Sequence, residues 1–181
     1  MAKRNKSTAI PIKDLQDYIV TSLSTSVSKL SNTEEKPLLI DLVKPRPVKL
    51  RIYAFNCGNP PGGRPVNEYK IVLNVGQNYG DKGNFDYSDG YFPIVLGYVN
   101  SYDVFVLWDA SKHKDFAYNK NMQVKSDTIL TALAENISSQ VRRTNNGPER
   151  ILAARSEYLL DAIYKRIDLL YDEMTEATYE P

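Results

Sequence analysis

The chain has 181 residues, is 42% hydrophobic and carries a formal net charge of +1. That is enough apolar content for one buried core, and it argues against a uniformly basic coat for nucleic acid while leaving a local patch open. Its single cysteine, Cys57, and single histidine, His113, exclude an internal disulfide and any multi-cysteine or multi-histidine zinc site.

A lone thiol suits a reduced setting, so a cytoplasmic protein is expected. No apolar run reaches membrane-spanning length, and no signal-peptide core follows the basic residues 1–6. Residues 1–181 are read as a single domain, with 1–10 a flexible basic tail and 175–181 a flexible tail.

In chain order, Ile12, Leu15, Ile19, Leu23, Val27 and Leu30 recur at three- and four-residue steps and predict an amphipathic helix over 12–31. Its serines and threonine are weak helix formers, so that helix must lean on tertiary packing. Residues 31–37 read as a connector. Strands are predicted at 48–55, 69–75, 92–99, 104–108 and 122–125, the first from the alternation in Lys49-Leu50-Arg51-Ile52-Tyr53. Asn100-Ser101-Tyr102-Asp103 supplies a hairpin turn between two apolar strands.

Ser126 reads as the cap of a helix to about residue 136, with Asp127 in its first turn. A second hairpin, 140–143 with 150–154, follows. A C-terminal helix then begins at a Ser156 cap and buries Leu159, Leu160, Ile163, Ile167 and Leu170. This order is α+β. The expected architecture is a curved mixed or antiparallel sheet, pseudobarrel-like, flanked by N- and C-terminal helices.

Residues 56–70 stand out within it. Asn56-Cys57-Gly58-Asn59-Pro60-Pro61-Gly62-Gly63-Arg64-Pro65-Val66-Asn67-Glu68-Tyr69-Lys70 is a proline- and glycine-locked loop between two strands, with Arg64 at its tip. It lacks the Gly-Lys-Ser/Thr ending of a phosphate-binding loop, and the glycines of 76–83 lack dinucleotide-fingerprint spacing. A planar guanidinium on a shaped loop suits bidentate contact with a guanine edge or a phosphate.

Lys70 follows on the same hairpin, and Asn78 and Lys82 lie on a nearby loop. Lys112, Lys114, Asn119, Lys120, Asn121, Gln123 and Lys125 form a second polar run, more basic than the acidic C-terminal helix. Cations interleaved with amides are what a nucleic-acid surface requires, and equally what a solvated lysine-rich loop displays. Asn59, Arg64 and these residues are the candidate DNA contacts.

Three further chemistries are open in the residues. Glu68 and Lys70 share a strand face and, with Asp41 upstream, could complete a Mg²⁺ site of the PD-(D/E)xK nuclease type. The competing reading is a wet strand face carrying an ion pair worth little. Cys57 with His113 could form a nucleophile and base, a pairing that a single cysteine and a single histidine rarely achieve. Tyr53, Tyr69, Tyr98 and Trp108 could wall a pocket for a flipped base, or fill the core.

Several segments in order carry a resemblance. They are Arg51-Ile52-Tyr53-Ala54-Phe55-Asn56 with Pro60–Pro65, Glu68-Tyr69-Lys70-Ile71, residues 84–90, Val104-Phe105-Val106-Leu107-Trp108-Asp109-Ala110 and residues 118–125. Over roughly 48–165 the chain resembles a bacterial domain that accompanies DNA methyltransferases and restriction endonucleases. The resemblance implies a double-stranded DNA-binding specificity module of a restriction–modification or modification-dependent restriction system. Loops 59–64 and 119–125 would be its arms, and no catalytic residue carries over. A nuclease or methyltransferase subunit is the expected partner, with a homodimer possible. No cofactor or metal is expected, save Mg²⁺ if the chain is itself the nuclease. The remaining alternative is a protein-interaction subunit that docks through the C-terminal helix.

Overall fold

The computed structural model describes residues 9–59 and 65–179. Helix α1, Ile12–Leu23, begins as its spacing predicts and buries Leu15, Ile19 and Leu23. It stops well short of residue 31. Ser24 adopts φ 46°, and Ser24–Ser26 form a single tight turn. The chain then leaves as strand β1, Val27–Leu30. Serine and threonine compete with the backbone for hydrogen bonds, which favours leaving the helix at Ser24–Ser26.

β1 pairs with β2, Leu38–Leu42, a strand missed in the sequence, whose Leu38, Ile40 and Leu42 are buried in strict alternation. Next come β3, Val48–Asn56, and β4, Glu68–Leu73. They are followed by β5, Phe92–Val99, and β6, Val104–Trp108. β7, Lys120–Lys125, runs directly into α2, Ser126–Glu135. The hairpin β8, Ile137–Thr144, and β9, Gly147–Arg155, precedes α3, Leu159–Tyr179. No helix among the described residues is long and apolar enough to cross a membrane.

Seven strands form one curved, unclosed sheet in the order β1-β2-β3-β5-β6-β9-β8. It is mixed: β3 and β5 run parallel, from Leu50 opposite Phe92 to Asn56 opposite Tyr98, and every other neighbour is antiparallel. β4 and β7 lie outside it as a separate antiparallel ribbon. The α+β expectation therefore holds, with an open sheet rather than a closed barrel.

Alternate residues of the central strands feed two cores. Leu50, Ile52, Leu96, Phe105, Leu107 and Leu152 face α1 and α3, whose Ile19, Ile163 and Ile167 complete that layer. Tyr53, Val95, Val106, Trp108 and Ala153 face the other way, against Ile71, Leu73, Met122 and Val124 of the ribbon and Ile129 of α2. The ribbon comes very close to β5 at Gly97. A Cβ there would lie 2.8 Å from Ile71 Cγ2, 2.9 Å from Trp108 Cζ3 and 3.0 Å from Cys57 Cβ.

Neither serine cap forms as predicted. Ser126 opens α2 with no side-chain cap bond, and Asp127 does occupy the first turn. Ser156 opens a short turn ahead of α3, and its hydroxyl donates instead to Asp103 Oδ2 at 2.6 Å. Tyr18 and Tyr98 hydroxyls donate to Asp103 Oδ1 at 2.7 and 2.8 Å. One carboxylate in the β5–β6 turn thus ties α1, β5 and the start of α3. Burial pushes the Asp103 carboxyl up, but the three hydroxyl donors outweigh it and hold it below the ordinary range.

Two outcomes are expected. Gly97→Ala should cost about 1–3 kcal/mol of unfolding free energy in urea titrations, because the side chain must displace ribbon and sheet together. A depressed carboxylate stabilises above its unfolded pKa and loses that contribution as pH falls through the folded value. Asp103→Asn should therefore be less stable than the parent at pH ~7, with the difference shrinking in melts taken below pH ~4.

Candidate nucleic-acid interface

Alternation along the ribbon sorts its residues. Tyr69, Ile71 and Leu73 of β4 and Met122 and Val124 of β7 point toward the sheet. Glu68, Lys70 and Val72 lie in register with Lys125, Gln123 and Asn121 and make the outer, wet face. On that face Lys70 Nζ donates to Asn121 Oδ1 at 3.0 Å. The backbone beneath is fixed. Gln123 O accepts from Trp108 Nε1 at 3.3 Å and from Arg142 Nη1 of β8 at 3.1 Å. Gly58 and Lys70 exchange two backbone hydrogen bonds of 3.0 and 2.9 Å, extending the ladder to the neck of the 59–66 loop. Asn59 Nδ2 donates to Val66 O at 2.7 Å across that neck.

Four predicted contacts thus share one outer face, Asn121 and Lys125 exposed and Lys70 and Gln123 half-buried, with Asn59 at its margin. Arg64, with residues 60–63, lies outside the described residues. The other candidates are elsewhere. Lys114 is exposed on the loop before β7, and Asn78 and Lys82 are exposed on the 76–83 turn. Asn119, at φ 56°, accepts from Asn74 Nδ2 at 3.3 Å. Lys112 is paired with Glu173 of α3 at 3.0 Å.

Lys120 points beneath the ribbon, on the side of Met122 and Val124. Its Nζ lies 3.1 Å from His113 Nδ1, and His113 Nε2 lies 2.8 Å from Glu149 Oε1 of β9. Glu149 is fully buried; its Oε1 also accepts from Asp109 N at 3.1 Å, and its Oε2 has no protein partner among the described residues. Asp109 Oδ2 in turn meets Arg166 Nη2 of α3 at 3.2 Å. Burial pushes the Lys120 ammonium down from its ordinary value; Glu149 opposes that push and Arg142 adds to it. This buried chain was invisible in the sequence because its members are up to 57 residues apart. Arg142 was missed for the same reason.

The remaining chemistries do not assemble. Cys57 is buried beneath the ribbon and its thiol is pushed far above its ordinary value by burial, which disfavours a thiolate. Both ring nitrogens of His113 are already engaged by Glu149 and Lys120, so neither is turned to Cys57, in keeping with how rarely such a lone pair forms. Asp41 sits on β2 opposite Lys49 and Lys29, in the large sheet, whereas Glu68 and Lys70 belong to the ribbon, with Glu68 opposite Lys125. Among the described residues no group of three His, Cys, Asp or Glu side chains could hold a metal ion.

Of the four aromatic candidates, Tyr53 lines a cavity of about 510 Å³ beside β3, together with Gln16, Phe55, Val72 and Asn74. Its ring packs against Phe85 with centroids 5.0 Å apart, and its hydroxyl accepts from Asp86 N at 3.1 Å. Trp108 and Tyr98 are core, and Tyr69 packs edge-on to Tyr102.

No curated protein and no solved structure matches the chain. The family model described as methylase-associated X1 matches residues 48–163, which run from the start of β3 into α3 and include both ribbon strands and most of the buried polar chain. By that match the chain belongs to the methylase-associated X1 family.

Proposed function

We propose that this chain is a duplex-DNA-binding specificity module of a restriction–modification or modification-dependent restriction system, working beside a methyltransferase or nuclease subunit. The observation that carries the reading is the outer face of the β4–β7 ribbon, where Lys70, Asn121, Gln123 and Lys125 stand in register on two strands. A two-stranded ribbon fits the major groove of B-form DNA. Its lysines, Lys125 at one end and Lys70 beside Gln123, can meet phosphates while the amides address base edges. Asn and Gln each present a donor and an acceptor, the pair an adenine edge requires. Arg64, close in sequence to Asn59, is the residue type suited to a guanine edge. The methylase association of the family supports the setting.

The test is binding selection from methylated and unmethylated duplex libraries, followed by mobility shifts on the selected site. Lys70→Ala and Lys125→Ala should weaken all sequences alike and lower the salt slope by about one each. Gln123→Ala should reduce discrimination between sites by about 1–3 kcal/mol while leaving non-specific affinity nearly unchanged. Arg64→Ala should act as Gln123→Ala does. Equal affinity of Gln123→Ala and parent for every site would remove the ribbon from base readout. Plasmid incubated with the protein and Mg²⁺ should stay intact; cleavage that disappears in Glu68→Ala would overturn a binding-only role.

A further inference from the structure

The chain Glu149–His113–Lys120 has a direction. An ammonium has donors and no acceptor, so Lys120 Nζ donates to His113 Nδ1 across 3.1 Å. Nδ1 is then unprotonated, the ring proton sits on Nε2, and Nε2–H donates to Glu149 Oε1 at 2.8 Å. Asp109 and Glu149 contribute two negative charges, and Arg166 and Lys120 two positive ones. With a neutral imidazole the buried cluster balances.

The cluster also spans all three layers. Arg166 belongs to α3, Glu149 to β9 of the large sheet, and Lys120 is the first residue of β7. Successive strand residues point to opposite faces. Whatever holds Lys120 down therefore fixes the height and twist at which Asn121 and Gln123 are presented above.

We propose that His113 and Glu149 are positioning residues for the ribbon: they hold Lys120 against the sheet from beneath, so that Lys120 is a strut and not a phosphate contact. This deepens the reading of the ribbon as a DNA interface and rests on it for its consequence in binding. An apolar side chain at 120 would fill the space under the ribbon without the desolvation of two acids and two cations. Such a cluster instead imposes one geometry, since each link is made in a single arrangement. Glu149 Oε2, buried with no protein partner among the described residues, marks a carboxylate aimed by its other oxygen alone. Both imidazole nitrogens are engaged, which leaves His113 no free nitrogen for a ligand or a substrate proton.

The groups facing the imidazole are Lys120 from β7 and Glu149 from β9, with Asp109 and Arg166 behind Glu149 and Arg142 of β8 acting on Lys120.

The experiment compares the full chain with Lys120→Met, which keeps the apolar stem, and with Lys120→Arg, which restores a donor. Amide hydrogen exchange is read at β7 and at β9, and discrimination is read by mobility shift. Lys120→Met should raise exchange at the Met122 and Val124 amides, which face β4 in the ladder, roughly tenfold or more while β9 stays protected. It should lower the ratio of specific to non-specific affinity roughly tenfold, with non-specific affinity within about a factor of three. Lys120→Arg should recover most of both.

Equal weakening on all sequences with unaltered exchange would make Lys120 a phosphate contact and overturn the proposal. Exchange rising equally through β7 and β9 would reduce the chain to a general stabiliser and would overturn it too. If the parent binds no duplex, the DNA reading fails on its own, and exchange at β7 against β9 still decides whether Lys120 is a strut.

Discussion

A sheet buried on both faces must be covered twice, and the coverings here differ in kind. One is α1 with α3, packed on Ile52, Leu96 and Phe105. The other is the β4–β7 ribbon, which reaches the sheet only because position 97 carries no side chain. Two β layers stacked face to face sit about 10 Å apart when ordinary side chains fill the gap. At Gly97 the gap locally disappears, so Ile71, Trp108 and Cys57 meet over bare backbone. The ribbon's position, and with it every residue proposed to meet DNA, depends on that contact.

The same alternation that seats the ribbon divides its labour. Inward residues are apolar except Lys120, and the exception is the one that reaches a charged chain through the end of the sheet. Outward residues are polar except Val72. Several motifs that look functional as sequence turn out to hold loops. Arg51 is buried and pairs with Asp86 at 3.0 Å, pinning the 84–90 segment to β3. Asn84 and Asp115 bind each other through two hydrogen bonds of 2.9 and 3.0 Å. An arginine surrounded by acids in a small fold is more often a clamp than a reader, because a desolvated guanidinium needs its partners close.

Legibility followed range. β5 and β6 were readable to the residue, since long apolar runs broken by Asn100–Asp103 admit few alternatives. α2 was readable from Ser126 and Asp127, though the serine makes no cap. β1 and β2 were not: Val27 and Leu30 continue the helical spacing of α1 by coincidence, and β2 is short and contains an acid. The wet face of the ribbon was half legible. Glu68 and Lys70 were seen to share a face, but their pairing with Lys125 and Gln123 crosses more than fifty residues. His113 was read as a possible base for Cys57, yet the groups that meet its ring are Lys120 of β7 and Glu149 of β9.

The outer residues of β4 and β7 take almost no part in the core, while the inner ones provide the ribbon's share of it. Folding and the proposed recognition are therefore written at alternate positions of the same two strands. Asn121, Gln123 and Lys125 can be exchanged for other side chains without touching Ile71, Met122 or the contact over Gly97. A lineage carrying this ribbon could change what it binds one residue at a time, with each intermediate still folded, much as a lock can be re-keyed without rebuilding its body.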